Sequence, residues 1–304
     1  MNPFFLISSP RSGSTWTRTV LNAHPEIACT ELRLYGDFCE LWIDDPKTGA
    51  ARPRFTLDRV AGLLAASIGW GDGAAITRQM GRALLALVRE ESGRRVVVDK
   101  ITPYLDSTAT VVAGIRRDFP TAKLIYLERD GRDVMTSGVF HWLRRRRAGQ
   151  RWGAVEKARY QYFITRQTDN LPQLFSPADI AFWGSQWLGP LTHVAPVADF
   201  TLRYEQMLAA PETEFSRLFR FLGVAEDLTS IAAGRFERMS GGRRPGEPDP
   251  VQPDAMVRTG TAGDWRRWFT RADGAAFHAL AGTALLDRGF EVDPLWYEAL
   301  PHRR

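Results

Sequence analysis

The chain has 304 residues, 44% hydrophobic and 25% charged, which suffices for a buried core and excludes global disorder. Its net charge of +5 fits an anionic substrate or cofactor as well as nucleic acid, and does not choose between them. The two cysteines, Cys29 and Cys39, lack the spacing of a zinc site, and so few cysteines favour a reducing compartment. The sequence shows no signal peptide and no apolar run of about twenty residues, which predicts a soluble, cytoplasmic protein.

Short apolar runs alternate with longer segments of helical periodicity along the whole chain. The predicted strands are Phe4–Ser8, Val96–Asp99, Lys123–Leu127 and Phe200–Leu202. The predicted helices are Ser14–Ala23, Leu57–Ala66, Ala75–Glu91, Ser107–Asp118, Asp133–Arg147, Val155–Asn170, Ser185–Val194, Glu212–Leu222 and Ala272–Asp287. This alternation predicts an α/β fold with a central, mostly parallel sheet flanked by helices, in one domain over residues 1–304. The Gly/Pro-rich stretch Ser240–Asp254 is predicted to be a loop that orders on binding.

The first strand ends in a cationic, hydroxyl-rich turn, "SSPRSGSTW". The helix that begins at Ser14 presents unpaired backbone N–H groups and the positive end of its dipole to this turn. Gly13 lets the backbone approach a ligand, while Ser12, Ser14 and Thr15 supply hydroxyl groups and Arg11 a guanidinium. We therefore expect an oxyanion here, although a plain strand–turn–helix with a serine cap has the same pattern. One glycine and no Lys before the Ser/Thr disfavour the phosphate loop of ATP and GTP kinases.

A second turn of the same kind follows the strand Lys123–Leu127 in "ERDGRDVMTS". Arg129 lies at the strand's end, and helical spacing places Asp133 and Ser137 on one face of the next helix. Arg129 and Ser137 are thus predicted to converge on a second anion at the carboxyl edge of the sheet. The alternative is a surface ion pair between Arg129 and a neighbouring aspartate.

Together these turns resemble those of sulfotransferases that use 3′-phosphoadenosine 5′-phosphosulfate (PAPS), and the resemblance runs in order over nearly the whole chain. "SSPRSGSTW" is similar to the family's 5′-phosphosulfate loop, and "ERDGRDVMTS" to its 3′-phosphate motif. "RTGTAGDWRRWFT" is similar to the R-K-G-x-x-G-D-W stretch of cytosolic members. The resemblance implies a sulfotransferase domain with a sheet like that of P-loop nucleotide kinases.

The resemblance also implies which residues hold the nucleotide. Ser12 to Trp16, with Arg11, would hold the 5′-phosphosulfate, and Arg129, Ser137 and Arg258 the 3′-phosphate. Thr259 stands where the family usually has Lys, so Arg258 and the Gly260 backbone would carry that role. Phe236 is the candidate for packing on the adenine. No metal is implied, because cations take its place.

The catalytic groups follow from the same resemblance. Lys100 comes directly after a strand and is similar to the family's lysine beside the bridging oxygen, so with Arg11 it would stabilise the leaving phosphate. Cytosolic members have a His two residues after this Lys, where this chain has Thr102. The segment "ACTELRLYGDF" resembles that of tyrosylprotein sulfotransferases, which makes Glu31 the candidate base. His141 is the reserve candidate.

The predicted function is therefore transfer of a sulfuryl group from PAPS to a hydroxyl group, leaving adenosine 3′,5′-bisphosphate (PAP). Two alternatives remain: an ATP-dependent small-molecule kinase, and a non-catalytic module that binds phosphorylated ligands. No nucleic-acid motif accompanies the basic run Arg144–Arg147, so nucleic-acid binding is disfavoured. The class of acceptor (small molecule, lipid, sugar or peptide) and the presence of a homo-oligomer stay open.

Overall fold

The fold is described from a computed structural model. It describes residues 2–32, 35, 40–41, 55–56, 63–67, 69, 73–103, 107–148, 154, 158–159, 175–239 and 260–302. Most of the predicted helix Val155–Asn170, residues 57–62 of the predicted helix Leu57–Ala66 and the whole loop Ser240–Asp254 lie outside these residues.

A five-stranded sheet, parallel throughout, forms the centre of the protein. The strands are β1 (Phe4–Ser8), β2 (Ile27–Thr30), β5 (Val96–Ile101), β6 (Lys123–Glu128) and β7 (Phe200–Arg203), in the order β2-β5-β1-β6-β7. A separate antiparallel pair is formed by β3 (Glu40–Leu41) and β4 (Phe55–Thr56). The predicted α/β fold with a parallel sheet is confirmed.

Nine α-helices can be given bounds within the described residues. They are α1 (Ser14–Ala23), α2 (Gly73–Ser92), α3 (Thr108–Asp118), α4 (Gly131–Ala148), α5 (Pro177–His193), α6 (Tyr204–Ala209), α7 (Pro211–Leu222), α8 (Leu228–Met239) and α9 (Arg271–Asp287). α5 begins at Pro177 rather than at the predicted Ser185, because Ser176 and Asp179 form a capping box with proline in the first turn. Within the described residues, no helix is both long and apolar enough to cross a membrane.

β1 shows how the sheet is held between its helices. Leu6 faces a cluster that contains residues of α1 and α7, whereas Phe5 and Ile7 face one that contains residues of α2 and α3. All three side chains are fully buried. Each contributes about 1.5–3 kcal/mol through burial of apolar surface. Because both faces are covered, β1 reads as a continuous apolar run, and its polar residues follow only at its carboxyl end.

Candidate functional site

The turn between β1 and α1 has the backbone of an anion site. Arg11 and Gly13 have positive φ angles, 68° and 94°, and α1 begins at Ser14 without an acidic residue in its first turn. The helix therefore presents its positive end to the turn without an acid of its own nearby. The Oγ atoms of Ser9 and Ser12 are buried and have no hydrogen-bond partner among the described residues. Buried hydroxyl groups of this kind fit a polar ligand.

Residue 13 must be glycine because its φ angle is positive and because Tyr204 leaves no space for a side chain. A Cβ atom at this position would lie 2.5 Å from Cδ2 of Tyr204, the first residue of α6. Trp16 is buried and packs edge-on against Tyr204 and Phe215, while Thr15 is exposed. The indole ring of Trp16 thus lies in the core, so any part it plays in nucleotide binding falls to its backbone.

The second turn reaches the first one directly. Arg129, at the end of β6, donates a hydrogen bond from Nη1 to the carbonyl of Arg11 at 2.8 Å. The side chain of Arg11 reaches the helix after the second turn, where its Nε donates to Oγ of Ser137 on α4 at 3.2 Å. The Arg129 guanidinium also lies over the Tyr204 ring, 4.3 Å from its centroid. The structure therefore brings together Arg11, Arg129 and Ser137, although their roles remain predictions.

The C-terminal segment joins the same place. Nη2 of Arg129 donates to the Thr261 carbonyl at 3.2 Å, next to Gly260, whose φ is 62°. Asp133 accepts hydrogen bonds from the backbone N–H groups of Gly263 (2.8 Å) and Trp265 (3.0 Å). This buried carboxylate fixes the loop against α4. Arg258 and Thr259 lie outside the described residues.

The alternative role for Arg129, an ion pair with an aspartate, is present only in part. Its Nη2 lies 3.7 Å from Oδ2 of Asp133, whereas Asp130 pairs with Arg132 at 2.7 Å. Asp133 is itself engaged by two backbone N–H groups of the C-terminal loop. The pair with Asp133 therefore leaves the charge of Arg129 incompletely matched, which suits a cation that meets an anion.

A second group of charges lies at the ends of β2 and β5. Nζ of the buried Lys100 donates to Oε1 of Glu31 at 2.7 Å, and Nη1 of Arg18 donates to Oε2 at 3.1 Å. The side chain of Glu31 is 24% exposed. We call these three residues the Lys100 cluster. Two of the residues predicted for catalysis, Lys100 and Glu31, thus contact each other.

Asp99 holds the two residues on either side of Glu31, Thr30 and Leu32. Oδ1 of this fully buried aspartate accepts hydrogen bonds from Oγ1 of Thr30 at 2.8 Å and from the N–H of Leu32 at 2.9 Å. The alternative to catalysis for Lys100 is an ion pair with Asp99 or another carboxylate, and in the structure Lys100 pairs with Glu31. Asp99 fixes the backbone, while Lys100 fixes the Glu31 side chain.

The other predicted residues are less defined. His141 is half-buried on α4, one helical turn beyond Ser137. Phe236 lies on α8, but its side chain is outside the described part of the chain. Their predicted roles, as reserve base and as the residue that packs on the adenine, stay predictions.

Sequence reasoning missed two residues that the structure brings to the site. Tyr204 directly follows β7 at the carboxyl edge of the sheet, where the end of a buried strand is itself a signal. Arg18 lies four residues after Ser14 on α1, so helical spacing places both on one face. The pairing of Arg18 with Glu31 had no signal in the sequence.

Comparison with known proteins identifies one family. Residues 3–227 match the family model described as "Sulfotransferase family". The solved sulfotransferase domain of the olefin synthase from Synechococcus PCC 7002 is 18% identical, with a TM-score of 0.51 over 93% of this chain and 95% of that one. Mouse sulfotransferase SULT7A1, solved in complex with PAP, is 16% identical, with a TM-score of 0.49 over 98% of this chain and 87% of that one. Among curated proteins, none matches this sequence.

Proposed function

This chain belongs to the sulfotransferase family, and we propose that it transfers a sulfuryl group from PAPS to a hydroxyl group of an acceptor, leaving a sulfate ester and PAP. One observation carries the choice of donor. Arg129 donates to the Arg11 carbonyl and Arg11 donates to Ser137, so two basic, hydroxyl-bearing turns from distant parts of the chain meet. A nucleotide with phosphate groups at both ends suits such a pair of turns better than a monophosphate does.

The residues present fit this donor. The buried Oγ atoms of Ser9 and Ser12, which have no partner among the described residues, lie in the turn before the N-terminus of α1, where a 5′-phosphosulfate would be held. Arg129 and Ser137 would hold the 3′-phosphate, with the Gly260 backbone beside them. We further propose that residues 1–304 form one sulfotransferase domain, which the bonds from Arg129 and Asp133 to residues 261–265 support.

When bound, PAPS would supply an activated sulfuryl group, and the chain's own residues would move the proton and stabilise charge. Glu31 takes the proton from the acceptor hydroxyl group. The acceptor oxygen forms its bond to sulfur while the bond from sulfur to the bridging oxygen breaks, and the electron pair stays on the leaving phosphate. Lys100 and Arg11 stabilise that negative charge. Because protonation neutralises Glu31, it loosens the ion pair with Lys100 as charge develops on the leaving group.

The test is an activity screen with PAPS and a panel of phenolic, sugar, lipid and peptide hydroxyl acceptors, read by mass. We expect an acceptor to gain one sulfuryl group, with release of PAP, in the presence of a metal chelator. ATP with magnesium serves as the control for a kinase. Phosphorylated product from ATP would overturn the proposal, and PAP binding without sulfation of any acceptor would favour a binding module.

A further inference from the structure

Glu205 is a partly satisfied carboxyl group beside the predicted nucleotide site. It lies in the first turn of α6, next to Tyr204, where the chain leaves the end of β7. Oε1 accepts a hydrogen bond from the backbone N–H of Asp130 at 3.0 Å. Oε2 is buried and has no hydrogen-bond partner among the described residues. An ionised carboxylate with one unpaired, buried oxygen is costly, whereas a protonated one costs less.

Charged neighbours act on this group from the turn after β6. Burial raises the pKa of Glu205 to about 7, against a lowering by the backbone N–H groups of Asp130 and of Glu205 itself. The charge of Asp130 adds a smaller rise in this pKa, and the charge of Arg129 a smaller lowering. Other charges at this edge are engaged with one another: Arg132 pairs with Asp130 and Glu291, Arg288 pairs with Glu128, and Arg203 lies 3.9 Å from Glu128. Among these charged neighbours, Arg129 is the cation that favours the ionised form of Glu205.

We propose that Glu205 takes up a proton from solvent when PAP or PAPS binds, so that a neutral carboxyl group positions the turn that carries Arg129 and Asp130. A phosphate group against Arg129 offsets the cation that favours ionised Glu205 and adds its own repulsion. Glu205 acts through the Asp130 backbone and is a positioning residue. This inference rests on the proposed function, because it needs a phosphate at Arg129.

The experiment is calorimetric titration with PAP in two buffers of different ionisation enthalpy, which counts the protons exchanged. At about pH 7.5 we expect the wild type to take up roughly half a proton more than Glu205→Gln, which is permanently neutral and keeps an acceptor for the Asp130 N–H. Titration of the nucleotide's own phosphate groups is common to both proteins and cancels. Glu26→Gln, at the opposite edge of the sheet beside Arg95, is the matched control and should behave as wild type.

The affinity gives a second readout that a merely structural role would not produce. Glu205→Gln should bind PAP as the wild type does at about pH 6, and about three- to tenfold more tightly at about pH 8.5, where wild-type Glu205 is ionised. Weaker binding at every pH, or the same proton count in both proteins, would overturn the inference while leaving the nucleotide site in place.

If Glu205→Gln does not fold, the pH dependence of proton uptake by the wild type alone tests the inference. Its proton uptake on binding PAP should pass through a maximum between about pH 7 and pH 8.5, and proton release throughout this range would overturn the inference. No binding of PAP by the wild type would overturn the proposed function itself.

Discussion

Two clusters of charged residues lie at the carboxyl edge of the sheet and differ in how completely they are closed. The Arg132 cluster consists of Arg132, Asp130 and Glu291, with ion pairs of 2.7 and 2.5 Å. Its guanidinium is fully buried and lies between the rings of Trp265 and Trp296, 3.8 and 4.5 Å from their centroids. It also donates to the Phe290 carbonyl. Such closure suits a structural role, because no face of the cation remains for a ligand.

The Lys100 cluster has the same chemistry but an open side. Lys100 is buried, whereas the side chains of Glu31 and Arg18 are 24% and 38% exposed. A carboxylate that is held in place yet reached by solvent can meet an acceptor. A buried ion pair alone therefore does not indicate function. An ion pair at a strand end indicates function when its carboxylate stays accessible to solvent.

The largest expected effect is a loss of turnover on substitution of Glu31 in the Lys100 cluster. Glu31→Gln removes the proposed base and keeps the shape of the side chain, so kcat should fall about 10³-fold while PAP affinity changes less than about twofold. Steady-state kinetics and calorimetry check the two parts. Glu26→Gln, beside Arg95 and far from the site, is the control. Undiminished turnover in Glu31→Gln would remove Glu31 from the role of base and bring His141 forward.

Substitution in the Arg132 cluster should lower the stability of the protein. Arg132→Met leaves Asp130 and Glu291 without their cation inside the protein, so the free energy of unfolding should fall by about 3–5 kcal/mol, measured by urea denaturation. Lys100→Met should cost less than about 1 kcal/mol, because Glu31 keeps Arg18 and its contact with water. Equal losses in the two variants would contradict the distinction between the clusters.

Glu205 adjoins the closed cluster through the Asp130 backbone and should impose a pH dependence on stability. The pKa of Glu205 is raised from 4.5 to about 7 in the folded protein, so the folded state holds more protons than the unfolded state between these values. This contribution is fully present below about pH 4.5 and is lost as pH rises through 7. Relative to Glu205→Gln, the wild type should lose about 3 kcal/mol between pH 4.5 and 8, by urea denaturation at each pH. A constant difference between the two proteins would contradict this account.

The smallest expected effect comes from the exposed partner of Glu31. Arg18→Gln removes one of the two cations that orient the carboxylate, and a partly exposed ion pair contributes little. We expect kcat to fall about two- to fivefold with PAP affinity unchanged, and Arg18→Lys to restore most of the rate. A loss above about a hundredfold would mean that Arg18 contacts the reacting groups itself.

The sequence predicted the parts of the fold that local patterns determine. β1 and α1 were predicted to the residue, since an apolar run ends in a turn and a helix N-terminus follows. β2, with the sequence "IACT", was missed because four residues of mixed character give no period. α6 was missed because its 6 residues are too few to give a helical pattern, and α8 was missed although it is as long as α7.

The residue types of the candidate site could be predicted from the sequence, and their pairings could not. Strand ends placed Arg11, Lys100 and Arg129 at one edge of the sheet, because parallel strands end there together. That Lys100 pairs with Glu31 depends on β2 lying beside β5, which was not predicted. Glu205 has no signal in the sequence, because its burial and its unpaired oxygen exist only in the folded chain.

Arg11 and Arg129 are proposed to belong to one nucleotide site, with Arg129 at the 3′-phosphate. The most direct measurement compares PAP with adenosine 5′-monophosphate by calorimetry, in the wild type, in Arg129→Gln and in the surface control Arg95→Gln. The wild type and the control should bind PAP about 100-fold more tightly than the monophosphate, and Arg129→Gln should reduce this ratio to about tenfold or less without weakening the monophosphate. An unchanged ratio in Arg129→Gln, or no binding of PAP at all, would contradict the account.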